Sequence, residues 1–62
     1  MTPKPGTLWK HRNGNIYGVW LITNVGSTNE KYPETVVYNN ILNGKTYSRP
    51  VSDWHRSMTE IV

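Results

Sequence analysis

The chain predicts a small all-β domain, and three features carry that prediction. Two Asn-Gly dipeptides, Asn13-Gly14 and Asn43-Gly44, each stand between runs of β-type residues. Asn-Gly in that setting is the strongest short-range hairpin signal, because both residues tolerate the positive φ of a type I′ turn. The run Ile16 to Val25 is dense in β-branched and aromatic side chains, which favour a pleated surface. A turn-rich stretch, Gly26 to Pro33, separates it from a third β-type run.

The elements follow in order. Residues 1–6 hold two prolines and a glycine and read as an extended lead-in; residues 7–62 form the single domain. From Thr7, one strand face carries Thr7, Trp9 and His11, and the other carries Leu8, Lys10 and Arg12. In the long run, Ile16, Gly18, Trp20 and Ile22 share one parity. Tyr17, Val19, Leu21, Thr23 and Val25 share the other. Both parities are partly apolar, which suits a strand that bends, and Gly18 is the expected bend or bulge. Gly26 to Pro33 is expected as a mobile loop. A third strand is expected from about Glu34 to Asn40, and a fourth from Lys45 to Arg49. Pro50, lacking an N–H, should end the pairing. Ser52 is a suitable cap for one helical turn, Ser52 to Arg56. Thr59 to Val62 completes the set as a last short strand. About five short antiparallel strands with one helical turn near the C-terminus make a small SH3-like barrel, nearly the only way to close strands of this length around one core.

Composition bounds the chemistry. The 62 residues suffice for one domain, and a domain of this size buries only about 60% of its unfolded surface. Cysteine is absent, which removes disulfides, thiolate catalysis and thiolate zinc sites. His11 and His55 lack clustered carboxylates for a metal, and no cofactor is implied. The core therefore rests on rings, three Trp and four Tyr with no Phe. Trp9 and Trp20 are the expected core rings, while Tyr17, Tyr32 and Tyr47 should keep an exposed edge. One cluster should join Trp9 or Leu8, Val19 or Trp20, Ile22, Val36 or Tyr38, and Trp54; parity alone leaves those alternatives open. No apolar run is long enough to span a membrane. With no cysteine and no apolar leader, an intracellular, cytoplasmic setting is expected.

Three stretches carry a resemblance: Gly6 with Trp9 to Tyr17, then Val36-Val37-Tyr38, then Tyr47-Ser48-Arg49-Pro50 followed by Trp54. Together they resemble the bacterial and phage domain family of unknown function numbered 1653, over about residues 5–55. The resemblance implies an SH3-like fold, a bacterial or phage source, and no established activity. The chain departs from the family between Thr23 and Pro33, which holds no His and only Glu30 as an acid.

Function reads as binding rather than catalysis. Ser52, Asp53 and His55 are the only grouping that suggests a triad, and triads assemble from distant segments. No glycine-rich phosphate loop is present. His11 suits a turn-bonding structural role or a place in a binding patch. Arg49 suits a pair with Asp53 or Glu34, cover for an aromatic face, or recognition of phosphate or carboxylate. The partner-binding residues expected from parity and hairpin closure are Lys10, Arg12, Tyr17 and Arg49. A protein partner is favoured, in a groove between the Asn13-Gly14 hairpin and the Gly26–Pro33 loop. The alternative is nucleic acid, on a face with Lys10, Arg12, Lys45, Arg49 and Arg56. The net charge of +3 is modest for that class.

Overall fold

The first hairpin is built from its turn. In the computed structural model, which describes residues 2–61, strand β1 (Leu8–His11) leads into strand β2 (Ile16–Thr23). The Asn13-Gly14 turn is present but is not type I′. Only Gly14 takes positive φ (96°), so the loop has three residues, closed by the Gly14 N–H donating to the His11 carbonyl at 2.8 Å. Asn13 contributes its side chain instead: Oδ1 accepts the Asn15 N–H at 2.9 Å. The second hairpin joins β3 (Thr35–Asn40) to β4 (Thr46–Pro50). Here the Gly44 N–H, at φ 72°, donates to the Asn40 carbonyl at 2.8 Å. Asn40 is buried, and its Oδ1 is satisfied by the Leu42 N–H at 2.8 Å.

The chain then turns at a 3-10 segment, Val51–Asp53, and ends in β5 (Met58–Ile61). The turn starts earlier than the expected Ser52 cap. Pro50 occupies the N-cap position without a side-chain bond, and Ser52 lies inside the turn. Pro50 also remains within β4, opposite Thr35; as the last residue of an edge strand, it costs no internal ladder bond. All pairings are antiparallel, in the order β4-β3-β2-β1-β5. The described residues thus form an all-β domain of five antiparallel strands in one sheet, with one lone 3-10 turn near the C-terminus. Val62, the last residue of the final expected strand, and Met1 of the lead-in lie outside the described residues.

The bulge decides which side chains are inside. It falls not at Gly18 but between Val19 and Leu21, where Val19 pairs with Tyr38 and Leu21 with Val37. Trp20 and Leu21 together face Val37, so the alternation shifts by one residue. Tyr17 and Val19 point inward before the bulge, and Ile22 packs on the core after it. Trp20 is left 59% exposed, which overturns its expected place in the core. Tyr17, expected to keep an exposed edge, is buried opposite Trp9.

The core comprises Trp9, Tyr17, Val19, Val36, Tyr38, Trp54 and Met58. Trp54 is fully buried and meets Tyr38 at 4.9 Å and Trp9 at 5.5 Å, both edge-to-face. Ring pairs of this kind add about 0.5–1.5 kcal/mol beyond area burial. Met58 joined this core without a sequence signal, because its face depends on the register of β5 against β1.

Trp54→Ala is expected to cost about 3–5 kcal/mol, which a domain of this size hardly tolerates. Trp20→Ala should cost less than about 1 kcal/mol, as an exposed substitution does. Urea unfolding followed by circular dichroism checks both. A large loss in the Trp20 variant would contradict the bulge position.

Candidate functional site

The sheet has two chemically distinct faces, and strand parity assigns residues to them. On the inner face, rings from four elements form a chain. Tyr17 meets Tyr38 at 5.2 Å and Tyr47 at 6.2 Å, and His11 approaches Tyr17 at 6.4 Å. His55 approaches Trp9 at 5.6 Å. Tyr47 is 41% exposed and lies over Tyr38 at 5.8 Å. His11 acts in the turn, where its Nδ1 accepts the Asn13 N–H at 3.0 Å.

Arg49 belongs to the inner side as well, opposite the buried Val36. Its Nε lies 3.8 Å from Asp53 Oδ2, while Arg56 Nη2 reaches Asp53 Oδ1 at 2.8 Å. Burial pushes the Tyr38 hydroxyl above the ordinary tyrosine value. The adjacent Arg49 guanidinium acts in the opposite direction, favouring the phenolate by charge and by a hydrogen bond. Glu34 is not Arg49's partner; its carboxylate accepts the Gly26 N–H at 3.1 Å.

The four expected binding residues therefore do not form one surface. Lys10 is exposed on the outer face, opposite Ile16 and Thr59. Arg12 is exposed in the hairpin, its Nη2 donating to Ser57 Oγ at 3.3 Å. Tyr17 and Arg49 lie on the other side. The cause is plain in β1: once Trp9 is inside, its register partner Tyr17 must be inside, and Lys10 must be out. Nor do the Asn13-Gly14 hairpin and the Gly26–Pro33 loop flank one groove, since they lie at opposite ends of β2. Of the five cations expected on one nucleic-acid face, Arg49 and Arg56 converge on Asp53, away from Lys10.

The outer face carries what the sequence reading missed. Leu8, Trp20, Leu21, Ile41 and Ile61 are all exposed there or along its rim. The ladder places Ile61, Leu8, Gly18 and Asn39 in one row across four strands. Gly18 binds this row together. A Cβ built on it would touch Asn39 Oδ1 at 3.3 Å, Leu8 Cδ2 at 3.7 Å and Ile41 Cγ2 at 3.9 Å, so those side chains close over its backbone. Half-buried Ile16 and Val37 extend the same face on either side. A soluble domain seldom leaves so many large apolar groups adjacent on one face. The signal was available in the mixed parity of Ile16 to Val25, but only the bulge position converts it into an exposed patch.

Among the described residues the surface also carries two hollows. One, of about 360 Å³, lies between the loop and the 3-10 turn, with Asn29, Glu34 and Ser52 in its wall. The other, of about 220 Å³, lies under the lead-in and is walled by Pro3, Trp9, His55 and Glu60. Among the described residues, no group of three or more His, Asp or Glu is placed to hold a metal ion. No helix among them is long and apolar enough to cross a membrane. Comparison with family models, with curated proteins and with solved structures returned no match.

The raised Tyr38 value has a testable sign. A phenol whose folded pKa exceeds its unfolded value near 10.0 leaves folding stability undiminished below that pH. Stability then falls as pH rises above it, because the unfolded chain loses the proton first. Denaturation curves at successive pH values should show this alkaline loss, and Tyr38→Phe should reduce it. An equal loss in the variant would assign the effect to other groups.

Proposed function

We propose that the chain is a non-enzymatic binding module whose partner is a protein, docked on the outer face of the sheet. The observation that carries this reading is the contiguous apolar surface around Gly18, with exposed Trp20 at the bulge. Trp is among the residues that dominate protein interfaces when seated in a partner's pocket. The surrounding aliphatic groups suit the apolar centre of such an interface, and Lys10 suits its polar rim.

Nucleic acid fits this face less well. Single-stranded binders stack successive bases on several rings along a cationic groove. Here one exposed ring stands among aliphatic side chains.

The resemblance supports a shared scaffold under this reading. The stretches that carry it include Trp9, Tyr17, Tyr38 and Trp54, with Arg49. These five are buried or inward-facing, so they build the core side of the sheet and leave the outer face free to suit an individual partner. A bacterial or phage protein acting in the cytoplasm belongs to the same proposal.

The test is affinity capture from a bacterial lysate with the parent and with a Trp20→Ser, Leu21→Ser double variant. A specific protein should be retained by the parent after nuclease treatment and lost from the variant, while circular dichroism shows both folded. Loss of capture on nuclease treatment, or equal capture by the two, would overturn the reading.

A further inference from the structure

The outer face is polarised along the strands, and that polarity bears on the chemistry of its partner. At the hairpin end stand Lys10 on β1 and Arg12 in the first hairpin, both exposed. The two hairpins lie at the same end because Tyr17, near the start of β2, pairs with Asn40 at the end of β3. Past the middle of β2, away from the hairpins, lie Trp20 and Leu21. The chain's four Asp and Glu residues stand elsewhere than on the outer face of the strands. Glu30 and Glu34 belong to the loop beyond β2, and Glu34 holds the Gly26 N–H. Asp53 is shared between Arg49 and Arg56. Glu60 pairs with Trp9 and so shares the inner parity.

The charge that the strands themselves offer on the outer face is therefore cationic and stands at the hairpin end, at Lys10. A second copy of this chain would bring the same unbalanced cations to the interface. A partner with carboxylates would neutralise them, and complementary charge steers both encounter and orientation.

We infer that the occupant of this face is an acidic, amphipathic segment of a partner protein. Its large apolar side chains cover Trp20, Leu21 and Leu8, and its Asp or Glu residues lie over Lys10 and Arg12. This rests on the reading of the face as a protein-docking surface and adds the partner's charge and its direction along β2.

The probe is a random twelve-residue peptide library displayed on phage and selected on the immobilised full chain. Enriched sequences should join two or more large apolar residues to a cluster of Asp or Glu. The corresponding synthetic peptides should shift tryptophan emission to the blue, because Trp20 is exposed whereas Trp9 and Trp54 are buried. The Lys10→Glu, Arg12→Glu variant should bind them about tenfold more weakly while unfolding at the parent's urea midpoint. Enrichment of neutral or basic sequences, or no enrichment at all, overturns the inference. If the peptides lose affinity in Trp20→Ser but not in the charge-reversed variant, the docking surface stands and the acidic occupant falls. If neither variant weakens binding, both fail. Tighter binding of a twelve-nucleotide oligothymidine, abolished by moderate salt, would assign the face to nucleic acid.

Discussion

The fold depends on burying one ring. Trp54 follows the 3-10 turn and is fully buried. It sits edge-to-face against Trp9 of β1 and Tyr38 of β3, strands at separate positions in the sheet. A chain without cysteines, and hence without disulfides, depends the more on such contacts. The local hydrogen bonds serve the same end: the Trp54 N–H donates to the Val51 carbonyl, and its own carbonyl accepts the Met58 N–H. These bonds aim the ring into the sheet and start β5 in register with β1. Placing Trp54 thus also places Met58, and with it the strand that flanks β1 on its open side.

The bulge in β2 is the second constraint, because it sets the core and the surface together. Without the extra residue, an inward Tyr17 and Val19 would require an inward Leu21 and an outward Ile22. With it, Ile22 packs on the core, and Trp20 and Leu21 emerge side by side. One local irregularity therefore supplies a core contact and an exposed apolar pair. Bulges recur where a strand must re-aim a side chain, and here the re-aimed group is the largest exposed ring of the chain.

This explains what could be read from the residues alone. Both Asn-Gly turns, the five strands and the lone turn near the C-terminus were legible, because each rests on local chemistry. On β1 parity left Trp9 and Leu8 as alternatives, and on β3 Val36 and Tyr38 share the face that is inward, with Val37 equally apolar on the other. The bulge was not legible. Gly18 offered the obvious place for it, yet Gly18 lies in regular pairing with Leu8 and Asn39, its missing side chain accommodating theirs. A shift of two residues in the bulge exchanges Trp20 for Val19 inside the core. The candidate site suffered more than the fold, because Lys10 and Arg12 were grouped with Tyr17 by proximity across the hairpin. Proximity across a hairpin does not imply a shared face; register does.

The two edge strands bear on where a partner can bind. An open edge invites pairing with another chain, and natural sheets blunt it with prolines and inward-pointing charges. Strand β4 carries Arg49 on its inner side and ends in Pro50; β5 carries Glu60 on its inner side, opposite Trp9. A strand adding to either edge would have to pass beside a charge turned toward its own inner face. Both edges are thereby made poor templates for a hydrophobic strand, although neither is covered. The outer face has no such protection: its side chains at Leu8, Trp20, Leu21 and Ile61 are apolar and exposed. The chain guards its backbone edges with charge and leaves its apolar side chains open. Under the proposed docking reading, that arrangement favours recognition by side-chain packing on the sheet over recognition by strand addition.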